Sequence, residues 1–264
     1  MPKVKEITAV LERLAPPHLA EAWDNVGLMV GDMEQEVTCV FVCLDVTSAN
    51  AAQAAQCGAD LIVSHHPLLF TPLKQVVESD VTGGIVRALI RGNLSVFSMH
   101  TNFDNAPGGM NDLLAEKLGL EQTRPFTPDE CVDGAGKPID NIGRIGVLDA
   151  PTEMEDFAAL VRQTLGCRCI RVAGDPGDTI RTVALCGGAG GDGIYSAYHA
   201  GADVYVTADI RHHEAQLAFE LGLNVIDAGH FETENIFCDY IQQYLSQTFS
   251  DLRICVSEAA PYFR

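Results

Sequence analysis

Histidines and carboxylates stand at three points in this chain where their types and spacing suit divalent-cation chemistry. His65-His66 follows the apolar run Leu61-Ile62-Val63-Ser64, and His100/Asp104 and His230/Glu234 form two further pairs, each spaced i,i+4. Adjacent side chains at a strand's end point to opposite sides, so His65 and His66 could each reach a different cation. The other two pairs follow Leu94–Met99 and Val225–Ala228, runs apolar enough to be buried parallel strands. Any one pair taken alone could equally cap the helix behind it. Together, near one sheet edge, they predict a dinuclear centre. Imidazole nitrogen mixed with carboxylate oxygen suits zinc, iron, manganese, cobalt or nickel better than calcium or a thiolate-seeking copper ion.

The elements that must position these residues occur twice. Cys57-Gly58-Ala59-Asp60-Leu61-Ile62-Val63-Ser64 recurs as Ala200-Gly201-Ala202-Asp203-Val204-Tyr205-Val206-Thr207, with Gly58 and Gly201 separated by 143 residues. The same offset carries Val40–Cys43 onto Val183–Cys186, and an offset of 130 superimposes His100 on His230 and Asp104 on Glu234. Strands and helices alternating in this order predict an α/β fold: two similar α/β lobes with right-handed crossovers and a metal-binding cleft between them. The first lobe is expected over residues 1–125, with His65, His66 and Asp104, and the second over residues 126–264, with His230 and Glu234. Glu121 to Asn141, rich in Pro, Gly and Asp, is the expected linker.

The chain's 264 residues suffice for either one large domain or two lobes with real cores. No apolar run approaches the roughly 18 residues of a membrane span and the start does not read as a signal peptide, so a soluble, cytoplasmic protein is expected. Nine cysteines without a Cys-x-x-Cys pair, including Cys39, Cys43 and Cys186 in apolar strands, read as small reduced core residues. A net charge of −19 repels a phosphate backbone and argues against nucleic-acid binding. A small anionic substrate stays compatible, because two bound cations would reverse the local potential.

Other motifs carry less information. Gly187 to Gly193 follows a strand and precedes a helix, so its amides could cradle a phosphate, although it matches neither the Walker pattern nor Gly-x-Gly-x-x-Gly; a plain tight turn is the alternative. Asp209, His212 and His213 follow the strand aligned with that of His65-His66 and are candidates to support the ligands, His213 more than His212. His18 and His199 look structural, and Cys167-Arg168-Cys169 reads as two ordinary thiols.

Trp23-Asp24-Asn25-Val26-Gly27-Leu28, Ser64-His65-His66-Pro67-Leu68, His100-Thr101-Asn102-Phe103-Asp104, Thr207-Ala208-Asp209 and Gly229-His230-Phe231-Glu232-Thr233-Glu234 occur in this order. The set resembles the dinuclear-metal-centre hexameric family, whose members are often named GTP cyclohydrolase I type 2 homologues. The resemblance runs from about residue 3 to 262. It implies a toroidal homohexamer of two-lobed protomers with two divalent ions per chain, held by His65, His66, Asp104, His230 and Glu234, the last as a bridge. Longer members carry an extra middle domain where this chain has only the stretch from about Thr123 to Pro176, so activities that depend on that insert are not implied. Ala208 stands where the family commonly has glycine.

A paired-metal site with open positions suits hydrolysis, since cations acidify water and stabilise an anionic intermediate. His100, outside the implied ligand set, is then the catalytic proton shuttle. Opening the imidazole ring of GTP, or cleaving another nucleotide-like or phosphate substrate, fits this chemistry. The alternative is a non-catalytic hexamer that stores metal or regulates.

Overall fold

The computed structural model describes residues 1–126 and 142–263. Its strands, in chain order, are β1 (Gly27–Val30), β2 (Cys39–Cys43), β3 (Leu61–Ser64), β4 (Ser95–Ser98), β5 (Glu121–Arg124), β6 (Arg144–Glu153), β7 (Arg171–Ala173), β8 (Thr179–Ala189), β9 (Val204–Ala208), β10 (Asn224–Asp227) and β11 (Arg253–Val256). They form two sheets, one ordered β1-β4-β3-β2-β11 and the other β5-β6-β8-β9-β10-β7. The protein is therefore α/β, with helices interleaved between the strands.

Each sheet belongs to one compact unit. The first unit comprises Met1–Phe103 with Phe237–Ala260, and the second comprises Asp104–Ile236 with a short stretch from Pro261. This division differs from a boundary at residues 125 and 126. β11 pairs in parallel with β2, Ile254 opposite Val40, and so draws the C-terminal segment into the first unit. Asp104 counts with the second unit instead of the first. Nor is Glu121 onward all linker: Glu121–Arg124 is strand β5, antiparallel to β6, while residues 127–141 of the expected linker lie outside the described residues.

In the first unit β2, β3 and β4 run parallel and β1 is antiparallel to β4. In the second, β8, β9 and β10 run parallel and β7 is antiparallel to β10. The duplicated sequence thus marks a duplicated three-strand core with one antiparallel edge. Its Gly-Ala-Asp signature has a physical cause at both sites. Gly58 and Gly201 take left-handed φ of +66° and +83°, which only glycine adopts cheaply. The aspartate then holds the adjacent strand where the parallel pairing begins: Asp60 Oδ2 accepts from the Thr38 and Cys39 amides at 2.7 and 3.2 Å, and Asp203 Oδ2 from the Arg181 and Thr182 amides at 3.0 and 2.7 Å.

Parallel strands with helices on their faces must be apolar on both sides. In the second unit Val183, Leu185, Val204 and Val206 pack with Phe157 and Val161, while the alternate residues Ala184, Cys186 and Tyr205 pack with Ile194 and Ala218. In the first, Phe41, Ile62 and Val96 pack with Ala54, Ile85 and Leu89. Side chains of Thr47 and Asp80 cap the first-unit helices Ser48–Gln56 and Val81–Arg91 by accepting from the Asn50 and Gly83 amides.

Candidate metal centre

In the first unit, the carboxyl ends of the parallel strands carry the histidines. His65 and His66 follow β3, and His100 follows β4 by two residues. One ring nitrogen from each of the three lies within 4.8 Å of the others. Each ring is fixed through its Nδ1 atom. His65 Nδ1 lies 2.8 Å from the Met99 carbonyl oxygen, His66 Nδ1 2.8 Å from Asp45 Oδ1, and His100 Nδ1 2.9 Å from Asp24 Oδ1. A carbonyl can only accept, so His65 Nδ1 must be the donor, which in the neutral ring leaves the lone pair on Nε2; an ionised carboxylate selects the same tautomer of the neutral His66 and His100 rings. This is the state in which imidazole ligates metal.

Asp24 is tightly held. Burial alone would raise its carboxyl, but hydrogen bonds from His100 and from Thr101 outweigh that and lower it to about 2. Asp24 Oδ2 accepts from both the Thr101 amide, at 3.0 Å, and the Thr101 hydroxyl. Above this aspartate–histidine pair stand two large exposed rings, Trp23 and Phe70, with centroids 6.2 and 6.4 Å from that of His100.

In the second unit the short helix His230–Glu234 puts residues four apart on one face. His230 Nε2 lies 3.0 Å from Glu234 Oε2, and its Nδ1 is 2.7 Å from Asp209 Oδ2. Glu234 is buried and lies against β8: a Cβ on Gly188, whose φ is +64°, would meet Glu234 Oε1 at 2.1 Å and His230 Nε2 at 3.3 Å. Glycine is required there so that the backbone can close on the carboxylate. Asp104 is buried nearby. The thiol of Cys186 on β8 is pushed up first by burial and then by the charges of Asp104 and Glu234.

Residues 2–261 match the sequence model of the Duf34/NIF3 (NGG1p interacting factor 3) family. The chain belongs to the DUF34/NIF3 family. Relatives named GTP cyclohydrolase 1 type 2 homolog include one from Clostridium perfringens, 34% identical over 98% of this chain and 97% of its own length. Another, from Streptomyces coelicolor, is 37% identical over 98% of this chain and 92% of its own. The crystal structure of a Bacillus cereus protein related to NIF3 aligns with a TM-score of 0.91 at 27% identity, covering 98% of both chains. Reduced HcgD from Methanocaldococcus jannaschii aligns with a TM-score of 0.83 at 30% identity, again over 98% of each.

Within this NIF3-family chain several sequence expectations change. Gly187 to Ala189 continue strand β8, and the helix beyond, Ile194–His199, has only six residues. The glycines accommodate the protein's own groups: added Cβ atoms would meet the Thr207 hydroxyl at Gly190 and the Glu214 carboxylate at Gly191. A carboxylate at that position opposes phosphate. His213 is exposed, with its Nδ1 3.4 Å from Gln216 Oε1, whereas Asp209 holds the ring of His230. Cys167 Sγ donates to the Ala228 carbonyl oxygen, as a structural thiol would. Asp45 escaped notice in the sequence because its relation to His66 follows from sheet order, β2 lying beside β3.

Proposed function

We propose that this NIF3-family chain binds two divalent cations through His65, His66, Asp104, His230 and Glu234, and is a metal-dependent hydrolase of a nucleotide-like substrate, similar to GTP cyclohydrolase type 2. One observation carries the metal-binding part. Four histidines, His65, His66, His100 and His230, each have Nδ1 paired with an oxygen acceptor, three of them carboxylates. Paired this way, imidazoles are oriented and made more basic for a cation, at a cost in conformational freedom that a structural histidine need not pay. The nitrogen and oxygen donors fit zinc, iron, manganese, cobalt or nickel.

Divalent ions held there would supply Lewis acidity and a more acidic water. The chain's own residues supply the rest. Asp24 stays ionised and orients the His100 ring through Nδ1, which suits His100 Nε2 to take and return a proton during hydrolysis. The exposed faces of Trp23 and Phe70 beside His100 offer stacking surfaces for a planar base. The relatives' name supports a purine nucleotide as the first substrate to try. We also propose a cytoplasmic homohexamer, following the family resemblance.

The test has two parts. Metal analysis of protein purified under metal-replete conditions should approach two ions per chain, and Glu234→Ala should lower that occupancy. A value that stays at or below one overturns the dinuclear assignment. The loaded protein is then screened against nucleotides and phosphate esters. Turnover lost in the ligand variants supports the hydrolase; full loading with labile ions and no turnover moves the chain to metal storage.

A further inference from the structure

Three cysteines of the first unit converge. Cys39 opens β2, Cys255 lies on neighbouring β11, and Cys57 follows the helix Ser48–Gln56. Their Sγ atoms all lie within 4.8 Å of one another, with Cys39 and Cys255 at 3.8 Å. The strand register explains this. Arg253 faces Cys39 and Cys255 faces Phe41, so Cys39 and Cys255 share one sheet face as diagonal neighbours, over which the helix end brings Cys57. A separation of 3.8 Å far exceeds a disulfide bond of about 2.05 Å. It matches sulfurs around a single ion: metal–sulfur bonds of about 2.3 Å at the tetrahedral angle separate the sulfurs by about 3.8 Å.

We propose that Cys39, Cys57 and Cys255 form a trithiolate site for a thiophilic divalent cation of the zinc class, distinct from the histidine and carboxylate ligands. The cluster sits where β2 begins, whereas His65 and His66 follow the carboxyl end of β3. Cys39 is buried, but Cys57 and Cys255 are only partly covered, which leaves a route of entry. Without an ion, burial keeps the Cys39 and Cys57 thiols protonated. Burial, then the contact with Cys255, pushes Cys39 up to about 12, and burial likewise raises Cys57, whose Sγ donates to the Ala54 carbonyl oxygen at the helix's negative end. Binding exchanges three S–H bonds for three sulfur–metal bonds and releases three protons to solvent, with no change of oxidation state. Three thiolates and a divalent ion leave one negative charge. Arg253, whose guanidinium donates to the Cys57 carbonyl oxygen and favours the Cys39 thiolate, stands beside it to balance that charge.

Cadmium reports on such a site, because sulfur-to-cadmium charge transfer absorbs in the ultraviolet and histidine or carboxylate ligation does not. Reduced full-length protein carrying His66→Ala and Glu234→Ala should still bind one cadmium with this absorption, and zinc should displace it. Adding Cys57→Ser or Cys255→Ser should weaken cadmium binding at least tenfold. In the unmutated protein, zinc should protect Cys57 and Cys255 from alkylation, read residue by residue by mass spectrometry, and the protection should fade as pH falls and protons compete. Absence of the charge-transfer band at one equivalent, a band unchanged in both serine variants, or alkylation indifferent to zinc would each overturn the proposal.

Discussion

Aspartates stand behind three of the candidate metal-binding histidines. Asp45 and Asp209 each hold a ligand candidate's Nδ1 and so fix both its tautomer and its direction. Replacing either with asparagine keeps the shape but loses the charge and offers two possible amide orientations. Asp45→Asn and Asp209→Asn should each weaken metal affinity about 10- to 100-fold, measured by competition with a chelating dye, while the circular dichroism stays unchanged. Unchanged affinity in both would mean that these pairs serve folding alone. His100 separates two roles. As a proton shuttle, His100→Ala should retain both ions and lose about 10²- to 10⁴-fold in turnover. Its ring also lies within ligating distance of those of His65 and His66, so loss of a whole ion in this variant would make it a ligand.

Among the elements, the duplicated strand, helix, strand unit depends on one buried-end device used twice. Asp60 and Asp203 each tie the turn before one parallel strand to its neighbour where their parallel pairing begins. Asp60→Ala leaves the Thr38 and Cys39 amides without that acceptor at a half-buried edge. The expected cost is about 1–3 kcal/mol of unfolding free energy, read from urea denaturation. Asp203→Ala should cost a similar amount. A cost near zero at both positions would show that water replaces the carboxylate and that the repeated Gly-Ala-Asp motif reflects the glycine's backbone conformation alone. The same device matters for the metal residues, because the strands it aligns are those whose carboxyl ends carry His65, His66 and Asp209.

For the whole molecule, the testable statement is assembly. The chain combines a net charge of −19 with exposed large apolar side chains such as Val81, Ile90, Phe219 and Phe263. A closed ring can bury such surface without open-ended growth. Light scattering should give a mass near six times 28.4 kDa at micromolar concentration, and the mass should persist after metal removal if apolar contacts hold the ring. A monodisperse monomer would refute the assembly. No helix among the described residues is long and apolar enough to cross a membrane.

Residue type and local spacing carried much of this protein into view before any fold was known. His65-His66 after an apolar run, the i,i+4 pairs and the repeated Gly-Ala-Asp motif are short-range patterns, and short-range patterns report strand ends, helix faces and glycine turns. They led to the α/β class, the two sheets and the candidate metal-ligating side chains. Long-range pairing decided the rest. Sheet order put Asp45 beside His66, and the parallel pairing of β11 with β2 moved the C-terminal segment into the first unit and brought Cys255 to Cys39. No local pattern connects residues 216 positions apart. The glycine-rich run shows the same limit: its sequence allows a phosphate cradle or a plain tight turn, and its glycines answer to Glu234, Thr207 and Glu214, side chains that reach it only through the tertiary fold.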